Sequence, residues 1–442
     1  MAIKVGMVSL GCSKNQVDAE IMLSKINSAG YELCTDSGLC DVVIVNTCGF
    51  IESAKTEAIE NILEFVTLKN EGRIKAIIVT GCLSERYREE VAKELPEVDA
   101  VVGIGSNADI VDIIGRVLNG ERVVTFGNKE DLPLDGQRII SNLPFFAYLK
   151  IAEGCDNRCT YCAIPMIRGN FRSRTIENIV AEAKTLARNG VKELIVIAQD
   201  ITRYGLDLYG ERRLPALLDA LCAIDGIEWI RLLYTYPDEI SDELIDCIAS
   251  QPKIVKYLDI PLQHISDNVL RAMNRRGSSA EIRAMIQKLR QRIPGIVLRT
   301  TFIVGFPGET EEDFEELCEF VRDTRFERLG CFAYSAEEDT PAAAFENQID
   351  EEVKQRRCEV LMDEQLTCAE NFCESMVGQT LDVIVEGYDR YASSCFGRSV
   401  YDSPDIDPKV FFTTPEAITA GDIVKVKITD WMDYDLIGET EV

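Results

Sequence analysis

The sequence predicts an α/β protein in three parts: an N-terminal doubly wound parallel sheet, a central (βα)6 partial barrel and a small C-terminal β-barrel. Three observations predict it. Apolar runs of strand length alternate with amphipathic stretches of helix length from the start of the chain. The same β-then-α pattern then returns six times over residues 141–376. Near residue 377 it gives way to short segments in which apolar and polar residues alternate.

In the first part, residues 1–140, the strand-like runs are 5–10, 42–46, 76–80, 100–104 and 122–126. Amphipathic stretches at 18–29, 53–67 and 85–95 lie between them. Apolar strands separated by helices imply a parallel sheet covered on both faces. Residues 128–142 are polar, include Pro133 and Gly136, and read as a linker. In the second part the candidate strands are 146–151, 193–198, 230–234, 257–260, 298–304 and 328–334, with helical stretches such as 175–189, 241–250, 280–292 and 310–324 following them. Six such units suggest an open barrel with its chemistry at the C-terminal ends of the strands. In the third part, residues 377–442, the alternating segments are 380–386, 409–413 and 423–429.

Bulk composition narrows the chemistry. The chain has 442 residues, which favours two or three domains. No apolar run reaches membrane-spanning length, and the opening MAIKVGMVSLGC reads as a first strand rather than a signal peptide, so a cytoplasmic location without membrane association is expected. There are sixteen cysteines but a single histidine, His264. Disulfides are rare in the cytosol, so metal ligation or redox chemistry is favoured, while one histidine excludes a multi-histidine zinc site. His264 reads as a structural histidine. The net charge of −28 opposes phosphate backbones unless a local basic patch overrides it, and attracts basic partners.

Cys155, Cys159 and Cys162 lie in GCDNRCTYC, spaced C-x3-C-x2-C, just after the first strand of the repeat. Three thiolates from one tight loop can hold three irons of a four-iron cluster and leave the fourth open to the amino and carboxylate groups of a methionine derivative. The rival readings are a zinc loop or coincidence; zinc would call for a fourth ligand nearby. Cys12, Cys48 and Cys82 each stand just beyond a predicted strand: VGMVSL, VVIVNT and AIIVTG. Strand ends of an open α/β sheet share one edge, so these thiols can converge on a second cluster, the alternative being buried structural cysteine. The other ten cysteines share no spacing and read as core.

These segments resemble the methylthiotransferases of the radical S-adenosylmethionine superfamily. The resemblance covers essentially the whole chain: SLGCSKNQVDAE, NTCGFIESAK, TGCL, EGCDNRCTYCAIPMIRGNFRSR, LDIPLQH and TTFIVGFPGET follow in order, and the last part looks like a TRAM domain. It implies a radical-SAM partial TIM barrel in the centre and two [4Fe-4S] clusters, one on Cys12, Cys48 and Cys82, the other on Cys155, Cys159 and Cys162, with no catalytic residue beyond these ligands. It also implies S-adenosylmethionine bound near Tyr161, Gln199, Asp200 and Arg299.

The family divides by substrate. One branch modifies an isopentenylated adenosine of transfer RNA; another modifies the β-carbon of an aspartate in the small-subunit ribosomal protein uS12. Ser-Lys-Asn after Cys12 is similar to the Pro-Lys-Asn of the ribosomal branch, whereas the tRNA branch has Gln-Met-Asn there, and NTCGFIESAK also resembles the ribosomal branch. Ser13 and Gln16 depart from that branch's usual proline and leucine without removing a ligand. Residues 377–442 carry thirteen acidic against five basic residues, a net charge of −8, which suits a basic ribosomal protein better than a nucleic acid. The expected partners are therefore uS12 or the ribosomal subunit and an electron donor such as flavodoxin or ferredoxin. Transfer RNA is not expected, and the chain is expected to be monomeric. The rivals are a tRNA methylthiotransferase and, from another class, a non-catalytic iron–sulfur protein that carries electrons or binds the ribosome.

Overall fold

The computed structural model describes residues 3–440, so residues 1–2 and 441–442 at the ends of the first and third expected parts lie outside the described residues. The N-terminal unit is a six-stranded parallel sheet built from β1 (Lys4–Ser9), β2 (Glu32–Cys34), β3 (Val42–Thr47), β4 (Ala76–Gly81), β5 (Ala100–Val102) and β6 (Val123–Thr125), in the order β2-β1-β3-β4-β5-β6. Its helices are α1 (Ser13–Ser28), α2 (Glu52–Asn70), α3 (Cys82–Glu94) and α4 (Ile110–Leu118). Successive side chains of a strand point to opposite faces, and here both faces are apolar. Val43, Val45, Ile77 and Val79 pack with Ile62 and Phe65 of α2. Val42, Ile44 and Ile78 pack on the other side with Met22 of α1 and Ile113 of α4. Strand β2 is absent from the sequence reading because it is three residues long, polar at one end and only half-buried at the sheet edge.

In the centre, β7 (Phe146–Lys150) is followed by a short antiparallel ribbon of β8 (Ala152–Glu153) and β9 (Arg172–Ser173). Then come β10 (Glu193–Ile197), β11 (Trp229–Leu232), β12 (Ile254–Asp259), β13 (Val297–Val304) and β14 (Arg328–Ala333). The six long strands form one parallel sheet, β14-β13-β12-β11-β10-β7, as the six-unit repeat predicts. The helices are α5 (Ile164–Arg168), α6 (Ile176–Arg188), α7 (Leu206–Tyr209), α8 (Leu214–Cys222), α9 (Asp242–Ser250), α10 (Asp267–Ala272), α11 (Ser279–Arg292), α12 (Glu311–Thr324) and the long α13 (Glu351–Met376). Leu149, Val196, Leu232, Leu258 and Leu298 face these helices. The opposite face carries Tyr148, Ile195, Ile197, Trp229 and Tyr257, and its cover comes from outside the barrel: Val17 and Ile21 of α1 and Ile384 of the C-terminal unit pack into it.

That C-terminal unit is a closed barrel, β15-β16-β17-β19-β18, of β15 (Thr380–Asp389), β16 (Ser394–Ser399), β17 (Val410–Thr413), β18 (Ile423–Met432) and β19 (Asp435–Thr440). Val383, Val410, Phe412, Val426, Ile428 and Leu436 fill it. Strands β16 and β19 are not among the alternating segments of the sequence; SCFGRS and DLIGET carry too few apolar residues to show the pattern. The barrel is tied to the lower ends of the central strands by buried pairs: Arg398 to Glu193 at 2.7 Å and Arg328 to Asp402 at 2.6 Å. No helix among the described residues is long and apolar enough to cross a membrane.

Candidate functional site

The order β1-β3-β4 makes neighbours of the three strands that precede Cys12, Cys48 and Cys82. Their registers, Ser9 opposite Asn46 and Asn46 opposite Thr80, bring the three cysteines out at one sheet edge. The edge includes the switch point between β1 and β3, where an open α/β sheet leaves its crevice. Cys12 caps α1 and Cys82 is the first residue of α3. Two glycines allow the close approach. Gly11, at φ +99°, would place a Cβ 3.2 Å from Cys48 Sγ, and Gly81, at φ +99°, would place one 2.4 Å from the Thr47 carbonyl oxygen.

The second set lies in the loop after β8. The Cys162 N–H donates to the Cys159 carbonyl at 3.0 Å, which closes a tight turn, and Arg158 adopts φ +52°. Gly154 would place a Cβ 2.1 Å from the Asn170 carbonyl, so the loop runs flush against the return strand. Burial pushes the Cys155 thiol up to about 11 and the Cys82 thiol up to about 12. Such thiols are not nucleophiles on their own near neutrality, whereas coordination to a metal removes the proton outright. Among the described residues no three His, Cys, Asp or Glu side chains close around a position for one metal ion. A multi-iron cluster instead spreads its thiolates over separate irons. Two sets of three thiols with glycines beside them fit that kind of group.

The two sets meet. Cys82 packs against Ala163, which directly follows Cys162, and against Ile167 of α5. Arg168 Nη2 donates to Cys82 Sγ at 3.2 Å and to Asn15 Oδ1 at 3.1 Å. Arg168 Nη1 donates to Asp18 at 2.5 Å and to Glu153 at 3.2 Å, and Lys150 is paired with the same two carboxylates. All four charged side chains are buried. The surrounding charges hold the Glu153 carboxyl down to about 2 against its burial. Two cations on two anions, drawn from α1, β7, β8 and α5, thus lock the N-terminal unit onto the barrel. Sequence reasoning missed this network because Lys150 ends an apolar strand and Asp18 stands among the polar positions of an amphipathic helix, where a charge is ordinarily solvated. Replacing Arg168 with methionine is expected to cost about 3–5 kcal/mol by leaving buried carboxylates underpaired. A urea midpoint of the apoprotein measures it, and an unchanged midpoint would show that the network does not couple the two units.

The remaining residues expected around the cofactor fall in different places. Tyr161 packs on an apolar cluster of Val269, Met273, Phe306 and Tyr334. Gln199 Nε2 donates to Glu153 Oε1 at 2.5 Å, while its Oε1 is buried without a partner among the described residues. Asp200 accepts from Thr202 and, at 2.8 Å, from Asn157 Nδ2, so it ties the cysteine loop to the end of β10. Arg299, third residue of β13, lies opposite Asp259, the last residue of β12, and pairs with it at 3.0 Å. His264 is fully buried; its Nδ1 accepts from the Ser266 N–H at 3.0 Å, and burial lowers its pKa to about 3, so it stays neutral. Arg275, absent from the sequence reading, stacks 4.1 Å from the Tyr236 ring and approaches Cys159 Sγ to 4.0 Å.

Comparison with known proteins follows this division. A family model for the radical SAM superfamily matches residues 149–321, one described as uncharacterized protein family UPF0004 matches 4–103, and one for the TRAM domain matches 377–440. The chain is 50% identical over 440 residues to the ribosomal protein uS12 methylthiotransferase RimO of Lachnoclostridium phytofermentans, covering 99% of this chain and 100% of the relative. It is 51% identical over 441 residues to the protein of the same name from Pelobacter propionicus, covering 99% and 98%. Among solved structures, the radical S-adenosylmethionine methyltransferase TsrM from Kitasatospora setae, with tryptophan and a SAM analogue bound, superposes with a TM-score of 0.58 at 12% identity, over 88% of this chain and 79% of that one. The cobalamin-dependent radical enzyme OxsB superposes with a TM-score of 0.53 at 14% identity, over 82% and 56%. These two likenesses concern the fold.

Proposed function

The chain belongs to the RimO family of ribosomal protein uS12 methylthiotransferases, radical SAM enzymes, and on that basis we propose that it places a methylthio group on the β-carbon of an aspartate of uS12. What carries the reading is the juxtaposition of two three-cysteine sets across the contact of Cys82 with Ala163 and Ile167. Cys155, Cys159 and Cys162 would hold one [4Fe-4S] cluster, and Cys12, Cys48 and Cys82 a second. When bound, the first with S-adenosylmethionine supplies reductive C–S cleavage to a carbon radical, and the second supplies sulfur for transfer.

The chain's own residues do the rest. Asp200 fixes the cysteine loop through Asn157, and Thr202 holds Asp200 in turn. Gln199 offers its free carbonyl and Tyr161 its ring to the cofactor. Ala163, Ile167 and the paired charges around Arg168 exclude water from the ground between the two sets, which a radical reaction requires. The net charge of −28 favours encounter with a basic ribosomal protein. A one-electron donor of the flavodoxin or ferredoxin kind completes the reaction in the cytoplasm, with the enzyme acting as a monomer.

The test is mass spectrometry of ribosomal proteins and tRNA from cells with and without the gene. A methylthio increment on the uS12 aspartate should vanish with the gene. An unchanged uS12 together with lost methylthio-adenosine would move the activity to tRNA.

A further inference from the structure

Where α1 covers the open face of the central sheet, one cation stands apart. Lys14 lies in the first turn of α1, two residues after Cys12, and is 6% exposed. Its Nζ sits 2.9 Å above the centre of the Tyr234 ring, and among the described residues it has neither a carboxylate nor a hydrogen-bond partner. The neighbouring cations are occupied: Lys150 and Arg168 by Asp18 and Glu153, Arg275 by the Pro261 carbonyl and the Tyr236 face, Arg299 by Asp259.

Stability does not account for Lys14. A cation in the first turn of a helix faces the positive end of the helix dipole, and α1 has no acidic residue in that turn to offset it. A lysine this enclosed, without an anion, gives up part of its hydration, which a ring face only partly returns. Beside it, the Ser13 hydroxyl is also buried without a partner among the described residues. Tyr234 is held in place at a cost of its own. It takes φ +66°, unusual for a non-glycine residue, pinned by its N–H to Asp259 Oδ2 at 3.0 Å and by its carbonyl to the Ile201 N–H at 3.1 Å. Backbone strain of this kind persists where the surroundings impose it and collects at functional sites.

We infer that Lys14, held over Tyr234 beside Cys12, receives the side-chain carboxylate of the substrate aspartate and sets the enzyme's preference for an acidic residue over its amide. This rests on the proposed function. The assignment to substrate rather than to S-adenosylmethionine follows from the element: α1 belongs to the unit that carries Cys12, Cys48 and Cys82, whereas the loop of Cys155–Cys162 is fastened through its Asn157 to Asp200 at the end of β10 and runs on into α5. An anion entering a dry joint needs a charged partner already in place, and the ammonium takes part only by a charge-assisted hydrogen bond. No covalent step passes through Lys14.

The experiment compares reconstituted wild type, Lys14→Met and Lys14→Arg on two forms of uS12, one with the target aspartate and one with asparagine in its place. Methionine keeps the length of the stem and removes the charge; arginine keeps the charge. Wild type should favour the aspartate form by about 10- to 100-fold in kcat/KM, the worth of one charged hydrogen bond, and Lys14→Met should lose most of that preference through a raised KM. Lys14→Arg should restore part of it. Preference unchanged in Lys14→Met overturns the inference, as does a loss of S-adenosylmethionine affinity measured without uS12, which would give the charge to the cofactor carboxylate. If wild type modifies neither form of uS12, the functional reading fails instead.

Discussion

Replacing Cys159 with alanine is expected to abolish formation of 5′-deoxyadenosine from S-adenosylmethionine. The loop of residues 155–162 offers three thiols, and Cys159 is the most enclosed of them, buried where Arg275 and Tyr161 converge. With one thiol gone the loop retains two, too few to hold a four-iron cluster with a single open iron. Changing even the outer partners of metal ligands costs about 10–100-fold, so loss of a ligand should exceed a hundredfold. Chromatographic measurement of 5′-deoxyadenosine under reducing conditions checks it, with bound iron per chain as the second readout. Cleavage at the wild-type rate in a variant with less iron would remove the loop from the reaction.

The complementary substitution, Cys48→Ala, is expected to separate the two halves of the chemistry. Methylthio transfer to uS12 should fall to background, while 5′-deoxyadenosine formation should persist within about twofold, because all three thiols of the 155–162 loop remain in place. Cys48 is the informative choice among the three N-terminal cysteines. Cys82 accepts a hydrogen bond from Arg168, so changing it also disturbs the buried network that steadies the barrel loop, and Cys12 stands at the N-cap position of α1, two residues before Lys14. Cys48 lies against Gly11, and among the described residues its thiol has no side-chain hydrogen bond to the barrel. Mass spectrometry of uS12 and the same nucleoside assay read both outcomes on one sample. Methylthiolated uS12 in the Cys48 variant would reject a sulfur-donating role for this set.

The two cysteine sets differ in how far sequence reveals them. C-x3-C-x2-C is a local pattern: the spacing alone places three thiols in one loop, and the structure adds the tight turn between Cys159 and Cys162. Cys12, Cys48 and Cys82 are separated by tens of residues, and only their shared position after apolar strands hints at a common edge. That edge becomes one place because β1, β3 and β4 are adjacent, a pairing decided across the chain by burial on both faces of the sheet. Gln16 illustrates the reverse. It departs from the usual leucine of the resembled branch, and its amide donates to Asn142 at 2.8 Å, which fastens α1 to the segment read as a linker.

The elements and their kind are written locally along the chain: the apolar strands, the amphipathic helices, the cysteine loop, the acidic balance, and with them an α/β protein ending in a small β-barrel. These follow from hydrophobic period and fixed spacing, which act over a few residues at a time. Tertiary structure alone decided which charges are paired and which is left over. Asp18, Lys150, Glu153 and Arg168 meet because α1 fills the open face of the barrel, and the same docking sets Lys14 above Tyr234, 220 positions away, with no anion of its own among the described residues. A local window cannot hold that information, because a buried charge is defined by what packs around it from distant parts of the chain.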